Sequence, residues 1–118
     1  GGKTGANFDH VSIMNLKKII DGKVTNKVIV DCSHGNSGKI HTNQSIVVDT
    51  LMSQYDNNET IVAGVMIESN LVEGSQKLIN KESLEYGKSI TDACVGLPAT
   101  TNMLERMAKS WNNRYNRR

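Results

Sequence analysis

The chain has 118 residues, 37% hydrophobic and 22% charged, which suits one small domain with a modest core. A net charge of +2 is too small to argue for nucleic acid, and no apolar run reaches the roughly 18 residues that span a bilayer. Aromatic residues make up only 4%, so Ile, Val, Leu and Met are expected to build the core.

Gly1-Gly2-Lys3-Thr4-Gly5 reads as a loop by composition. Asp9 is placed to cap a helix running to about Ile20, with Ile13, Leu16 and Ile20 on its buried face and Asp21-Gly22 ending it. Val28 to Ser33 reads as a strand. Its consecutive apolar residues predict cover on both faces, as in parallel sheets. A polar loop, Gly35 to Thr42, precedes a helix from about Gln44 to Tyr55 that buries Val47, Leu51 and Tyr55 and stops at Asp56-Asn57-Asn58. Thr60 to Ser69 is the second strand, where Gly64 leaves room for a close neighbour. Asn70 to Leu97 is irregular. Asn102 with Glu105 fits a capping box for a last helix, with Leu104, Met107 or Ala108, and Trp111 as its buried stripe.

Strand, crossover helix, strand predicts a right-handed parallel βαβ unit. Two strands cannot close a barrel, and a (β/α)8 barrel needs about 250 residues. The chain is therefore either a small open αβα layer or the end of a larger protein. The first residue is Gly1 and not Met, so the sequence is expected to start inside a longer polypeptide or to be processed. Cys32 and Cys94, with no export signal ahead of them, predict free thiols and a cytoplasmic setting. The sequons at Asn43 and Asn58 would matter only in a secreted protein. Lys109, Arg114, Arg117 and Arg118 read as a solvated helix end, or else as a polyanion-binding tail.

His34 closes the first strand and Glu68 the second, and Asp92 lies in the following loop. Imidazole and carboxylate are ligands for Mn, Fe, Co or Zn. Neighbouring strands run about 4.8 Å apart, so side chains at equivalent ends can share one ion. The alternative is a capping histidine and two solvated carboxylates. Cys32, two residues before His34, is expected on the same side one layer deeper, and packed; Cys94 is expected as a neighbour of the site. Gly35-Asn36-Ser37-Gly38-Lys39 lacks P-loop spacing, which leaves only a looser role near a substrate phosphate. Glu73 and Gln76 read equally as loop-holding or catalytic residues, and His10 and His41 as exposed.

Three motifs taken together say more than their spacing. Asp31-Cys32-Ser33-His34-Gly35-Asn36-Ser37, then Gly64-Val65-Met66-Ile67-Glu68-Ser69-Asn70-Leu71-Val72-Glu73-Gly74, then Tyr86-Gly87-Lys88-Ser89-Ile90-Thr91-Asp92-Ala93-Cys94 closely resemble the C-terminal third of type I 3-deoxy-D-arabino-heptulosonate-7-phosphate (DAHP) synthase. Gly1-Gly2-Lys3 looks like that family's Arg-Gly-Gly-Lys segment without its arginine. The resemblance covers essentially the whole chain. It implies an α/β fold, the C-terminal portion of a (β/α)8 TIM barrel, with residues 1–118 as a single partial domain. It also implies a metal-dependent condensation of phosphoenolpyruvate with erythrose 4-phosphate, the first step of the shikimate route to aromatic amino acids. His34, Glu68 and Asp92 match three of the four metal ligands, and His34 and Asp92 also match catalytic positions.

The departures from the family pattern carry equal weight. The family's metal cysteine lies far upstream, and neither Cys32 nor Cys94 occupies its place. The upstream arginines and lysines that grip both phosphates are absent, and Gly96-Leu97-Pro98 stands where Gly-Trp is frequent. The resemblance therefore predicts a chain inactive alone, with uncovered strand edges that favour self-association, a swapped arrangement or a missing partner segment. The rival expectation is a non-catalytic domain that binds metal or a phosphorylated ligand, or assembles with itself.

Overall fold

A computed structural model describes residues 2–23, 26–57 and 60–117. Gly1, the Asn58 end of the expected helix stop, the Asn58-Glu59-Thr60 sequon and Arg118 lie wholly or partly outside the described residues. The main elements are α1 (His10–Ile20), β1 (Val28–Asp31), α2 (His34–Ser37), α3 (Gln44–Asn57), β2 (Val62–Met66) and α4 (Leu97–Tyr115). Short 3-10 turns occupy Gly2–Thr4, His41–Asn43 and Lys81–Ser83. Two regions expected as loops thus contain helical turns, at Gly2–Thr4 and within the Gly35 to Thr42 segment.

Asp9 caps α1 by accepting a hydrogen bond from the Ser12 amide at 3.0 Å. Ile13 is buried, with Leu16 and Ile20 packed behind it. β1 and β2 pair in parallel, Ile29 opposite Gly64 and Asp31 opposite Met66. Both strands are shorter than expected. The sheet is covered on one face only: Val30 is 7% exposed but Ile29 is 72% exposed. Helices α1, α3 and α4 supply cover to the Val30 side, and among the described residues nothing covers the side that carries Ile29. Nor is Gly64 a point of crowding, because a Cβ there would meet only Ile29 Cγ1 at 3.9 Å.

The core forms where Val30 and Cys32 meet Val47, Val48 and Leu51 of α3 and Met103 of α4. It is aliphatic and sulfur-containing, as the scarcity of aromatics predicts. Helix α4 corrects the sequence reading twice. It starts at Leu97, capped by Gly96 and with Pro98 in its first turn, so Asn102 and Glu105 are interior residues and no capping box. Its buried face carries Ala99, Met103, Met107 and Ser110, whereas Leu104 is 56% and Trp111 62% exposed. Arg106 sets that rotation. It reaches Asp56 Oδ2 at 3.1 Å and Asp49 Oδ1 at 3.7 Å on α3 and also bonds Ser110 Oγ, while the Arg114 guanidinium lies 4.5 Å over the Tyr55 ring.

The segment after β2 folds back on itself. Val95 N–H donates to the Glu68 carbonyl at 3.0 Å and Asn70 N–H to the Val95 carbonyl at 3.0 Å. Gly74 and Cys94 exchange two backbone hydrogen bonds at 2.8 and 3.1 Å. This return brings residues 92–95 beside Glu68. Gln76 holds the outer part, donating to the Glu85 and Lys88 carbonyls and accepting from the Glu85 amide. That is the loop-holding reading of Gln76.

Candidate metal centre

β1 ends at Asp31, and the chain turns sharply. His34 sits at φ 45°, in the left-handed region that residues with a Cβ rarely enter. Strand alternation therefore does not extend to His34. Cys32 goes into the core while the His34 ring stands 46% exposed at the strand end. Gly38, also left-handed, closes the α2 turn.

Three side chains converge there. His34 Nε2 lies 3.2 Å from Glu68 Oε1 and 3.4 Å from Asp92 Oδ2. Among the described residues these three each offer one ligand atom, all within 4.8 Å of one another. The sequence thus predicted a grouping that the fold brings together. One imidazole nitrogen and two carboxylate oxygens suit a divalent Mn, Fe, Co or Zn ion, so the donor set fits the cation that the sequence suggests. Neither cysteine joins it. Cys32 is fully buried, and burial with the nearby Asp31 charge pushes its thiol up to about 12. Cys94 Sγ faces the Asp92 carbonyl at 3.6 Å, and burial, with Glu68 next in weight, raises its thiol too. Neither is poised as a thiolate.

The His34 ring is gripped on its other side. Nδ1 lies 2.9 Å from Asp31 Oδ2 and 2.8 Å from Ser33 Oγ. The hydrogen bond to Asp31, followed by the Glu68, Asp31 and Asp92 charges, raises the His34 pKa above its ordinary value. Burial works to raise the Asp31 carboxyl, but hydrogen bonds from Ser33 and His34 prevail and hold it below its usual range.

Glu68 is positioned through its backbone. The fully buried Gln44 amide receives the Glu68 N–H at 2.8 Å and donates to the Glu68 carbonyl at 2.9 Å. The sequence reading assigned no role to Asp31 or Gln44. The Asp three residues ahead of a strand-end His was a usable signal for the first. Nothing local marks the second, because its partner is 24 residues away.

A recess of about 30 Å³ adjoins the cluster, bordered by Lys39 and His41 as well as His34, Glu68 and Asp92. The Gly35–Lys39 turn therefore borders this recess, through Ser37 and Lys39. His41 is half-buried, not exposed as expected, and its Nε2 pairs with Glu73 Oε1 at 2.8 Å. Glu73 thus holds the loop. His10 is exposed, as expected.

Residues 1–105 match the DAHP synthetase I family. The chain is 41% identical over 122 residues to the phenylalanine-inhibited phospho-2-dehydro-3-deoxyheptonate aldolase of Saccharomyces cerevisiae, covering 97% of this chain and 33% of the yeast protein. It is 41% identical over 88 residues to the Trp-sensitive phospho-2-dehydro-3-deoxyheptonate aldolase of Escherichia coli, covering 75% and 25%. A solved phospho-2-dehydro-3-deoxyheptonate aldolase from Francisella tularensis superposes with a TM-score of 0.86 at 40% identity, over 93% of this chain and 32% of that one. The chain spans about a third of the length of the curated relatives it matches.

Proposed function

Because the chain belongs to the DAHP synthetase I family, we propose that it is the metal-bearing C-terminal third of a (β/α)8-barrel 3-deoxy-7-phosphoheptulonate synthase. That enzyme joins phosphoenolpyruvate and erythrose 4-phosphate, with water consumed and phosphate released, at the entry to aromatic amino-acid biosynthesis in the cytoplasm. The observation that carries the reading is the meeting of His34, Glu68 and Asp92 at the C-terminal ends of two adjacent parallel strands. In barrels of this type the chemistry sits at that end. The order of the three motifs supports the C-terminal placement.

His34 Nε2 and the Glu68 and Asp92 carboxylates would hold the ion. A divalent cation bound there supplies Lewis-acid chemistry for the aldehyde oxygen of the sugar phosphate and for the attacking water. Asp92, with its side chain 64% exposed, faces the open side and is placed to meet a substrate hydroxyl and exchange a proton with it. The family resemblance gives His34 a second role, contact with phosphoenolpyruvate. Lys39 and His41 are the basic groups that border the recess. Arg106 and Arg114 are committed to α3, so neither serves as a phosphate grip at this recess. With two of the expected contributions missing, a cysteine ligand and the phosphate-binding arginines, the 118-residue chain binds metal without turning over substrate.

Titration with Mn²⁺ or Zn²⁺, read by calorimetry, tests this. Wild type is expected to bind one ion per chain, His34→Ala to lose about tenfold or more in affinity, and neither to release phosphate from the substrate pair. Equal binding by wild type and His34→Ala would sink the metal site. Metal-dependent phosphate release by the chain alone would sink its dependence on the rest of the enzyme.

A further inference from the structure

Resting on that metal reading, we propose that Asp31 is the positioning residue of the centre: its carboxylate holds the His34 ring so that Nε2 is the nitrogen presented to the cation. The ring has two nitrogens, and only Nε2 faces Glu68 and Asp92. Packing does not enforce that choice, because the side chain is 46% exposed. Hydrogen bonding does. Asp31 Oδ2 lies 2.9 Å from Nδ1.

The carboxylate is itself fixed. Its other oxygen, Oδ1, accepts from the Ser33 amide at 2.8 Å and from Ser33 Oγ at 2.6 Å. Asn36 Nδ2 donates to the Asp31 backbone carbonyl at 2.8 Å, and β1 pairing with Met66 holds the residue from the other side. Ser33 Oγ also favours a ring proton on Nδ1. Its single proton goes to Asp31 Oδ1, so at 2.8 Å from Nδ1 it acts as an acceptor. Both groups facing Nδ1 are then acceptors, and Nδ1 carries the N–H. When a cation takes the place of the Nε2 proton, Nδ1 keeps its N–H and Nε2 gives its lone pair to the metal. A carboxylate behind a ligating imidazole also raises its basicity as a donor.

The test uses the full chain loaded with Zn²⁺. Affinity is read by competition with a chromophoric chelator, and the ring protons by nitrogen-15 NMR of labelled histidine. Asp31→Ala is expected to weaken Zn²⁺ binding about ten- to a hundredfold. It should also lose the slowly exchanging Nδ1 proton that wild type shows. Asp31→Asn should lose less affinity and keep that proton, since its amide oxygen still accepts. Affinity of Asp31→Ala within about twofold of wild type overturns the proposal and leaves the metal site standing. So does an Nδ1 proton unaltered in that variant. If Asp31→Ala does not fold, the wild-type spectrum decides: a ring proton on Nε2 with metal at Nδ1 overturns it. No Zn²⁺ binding by wild type overturns both readings.

Discussion

His34 stands among three carboxylates, Asp31 on one ring nitrogen and Glu68 and Asp92 on the other. Without metal, that arrangement favours the imidazolium. The His34 pKa is raised above 6.5, chiefly by the Asp31 hydrogen bond and then by the Glu68 charge. A raised folded-state pKa gives stabilisation that is full below the unfolded value and lost as pH rises through the folded one. Asp31 is shifted the opposite way, so its share is present above its ordinary value and lost as pH falls through its lowered one. The metal-free chain is therefore expected to lose stability relative to His34→Ala as pH rises past the raised His34 pKa. Denaturant melts of both proteins across roughly pH 5 to 9 measure this, and a constant difference over that range would refute it.

At the scale of elements, the return loop places Asp92. Gly87 is its tightest point. It sits at φ 79°, and a Cβ there would lie 2.7 Å from Leu71 Cβ and 3.1 Å from Leu71 Cδ1. Gly87→Ala meets both a left-handed backbone and a clash, for a cost of about 1–3 kcal/mol. Because residues 74 and 94 are hydrogen-bonded across the same loop, the strain should reach Asp92 and lower metal affinity as well as the melting temperature. An unchanged melting temperature would mean the loop relaxes freely. Helix α4 shows the limit of local signals. Asn102 and Glu105 have the residue types of a capping box, but Pro98 extends the helix upstream and Arg106 anchors its rotation to Asp49 and Asp56. A Cβ at Gly96 would lie 3.4 Å from the Glu73 amide, so the helix start packs against a loop 23 residues earlier.

The whole molecule is open. Its surface of 8112 Å² exceeds the ~6,300 Å² expected for a compact monomer of this mass. Its radius of gyration is 16.3 Å, against about 13.5 Å for a compact domain of this length. The excess is partly apolar: Ile29 on the bare sheet face, Trp111 on α4, and a groove of about 590 Å³ between α3, β2 and α4. Such surface drives association. Sedimentation is expected to give a mass that climbs above 13.0 kDa with concentration, and Ile29→Lys to reduce that climb. A concentration-independent monomer would show that the bare face is tolerated in water.

The element order, the parallel βαβ unit, the α1 cap and the grouping of His34, Glu68 and Asp92 were all legible in the residues, because they rest on local periodicity, capping chemistry and motif order. Asp31 carries the same kind of local signal, three residues ahead of His34. Tertiary structure alone decided which face of the sheet is covered, how α4 is rotated, and that Gln44 grips Glu68 across 24 residues. It also carried Asp92 back to a histidine 58 residues earlier. Those outcomes depend on contacts between distant segments, which hydrophobic pattern restricts but does not choose.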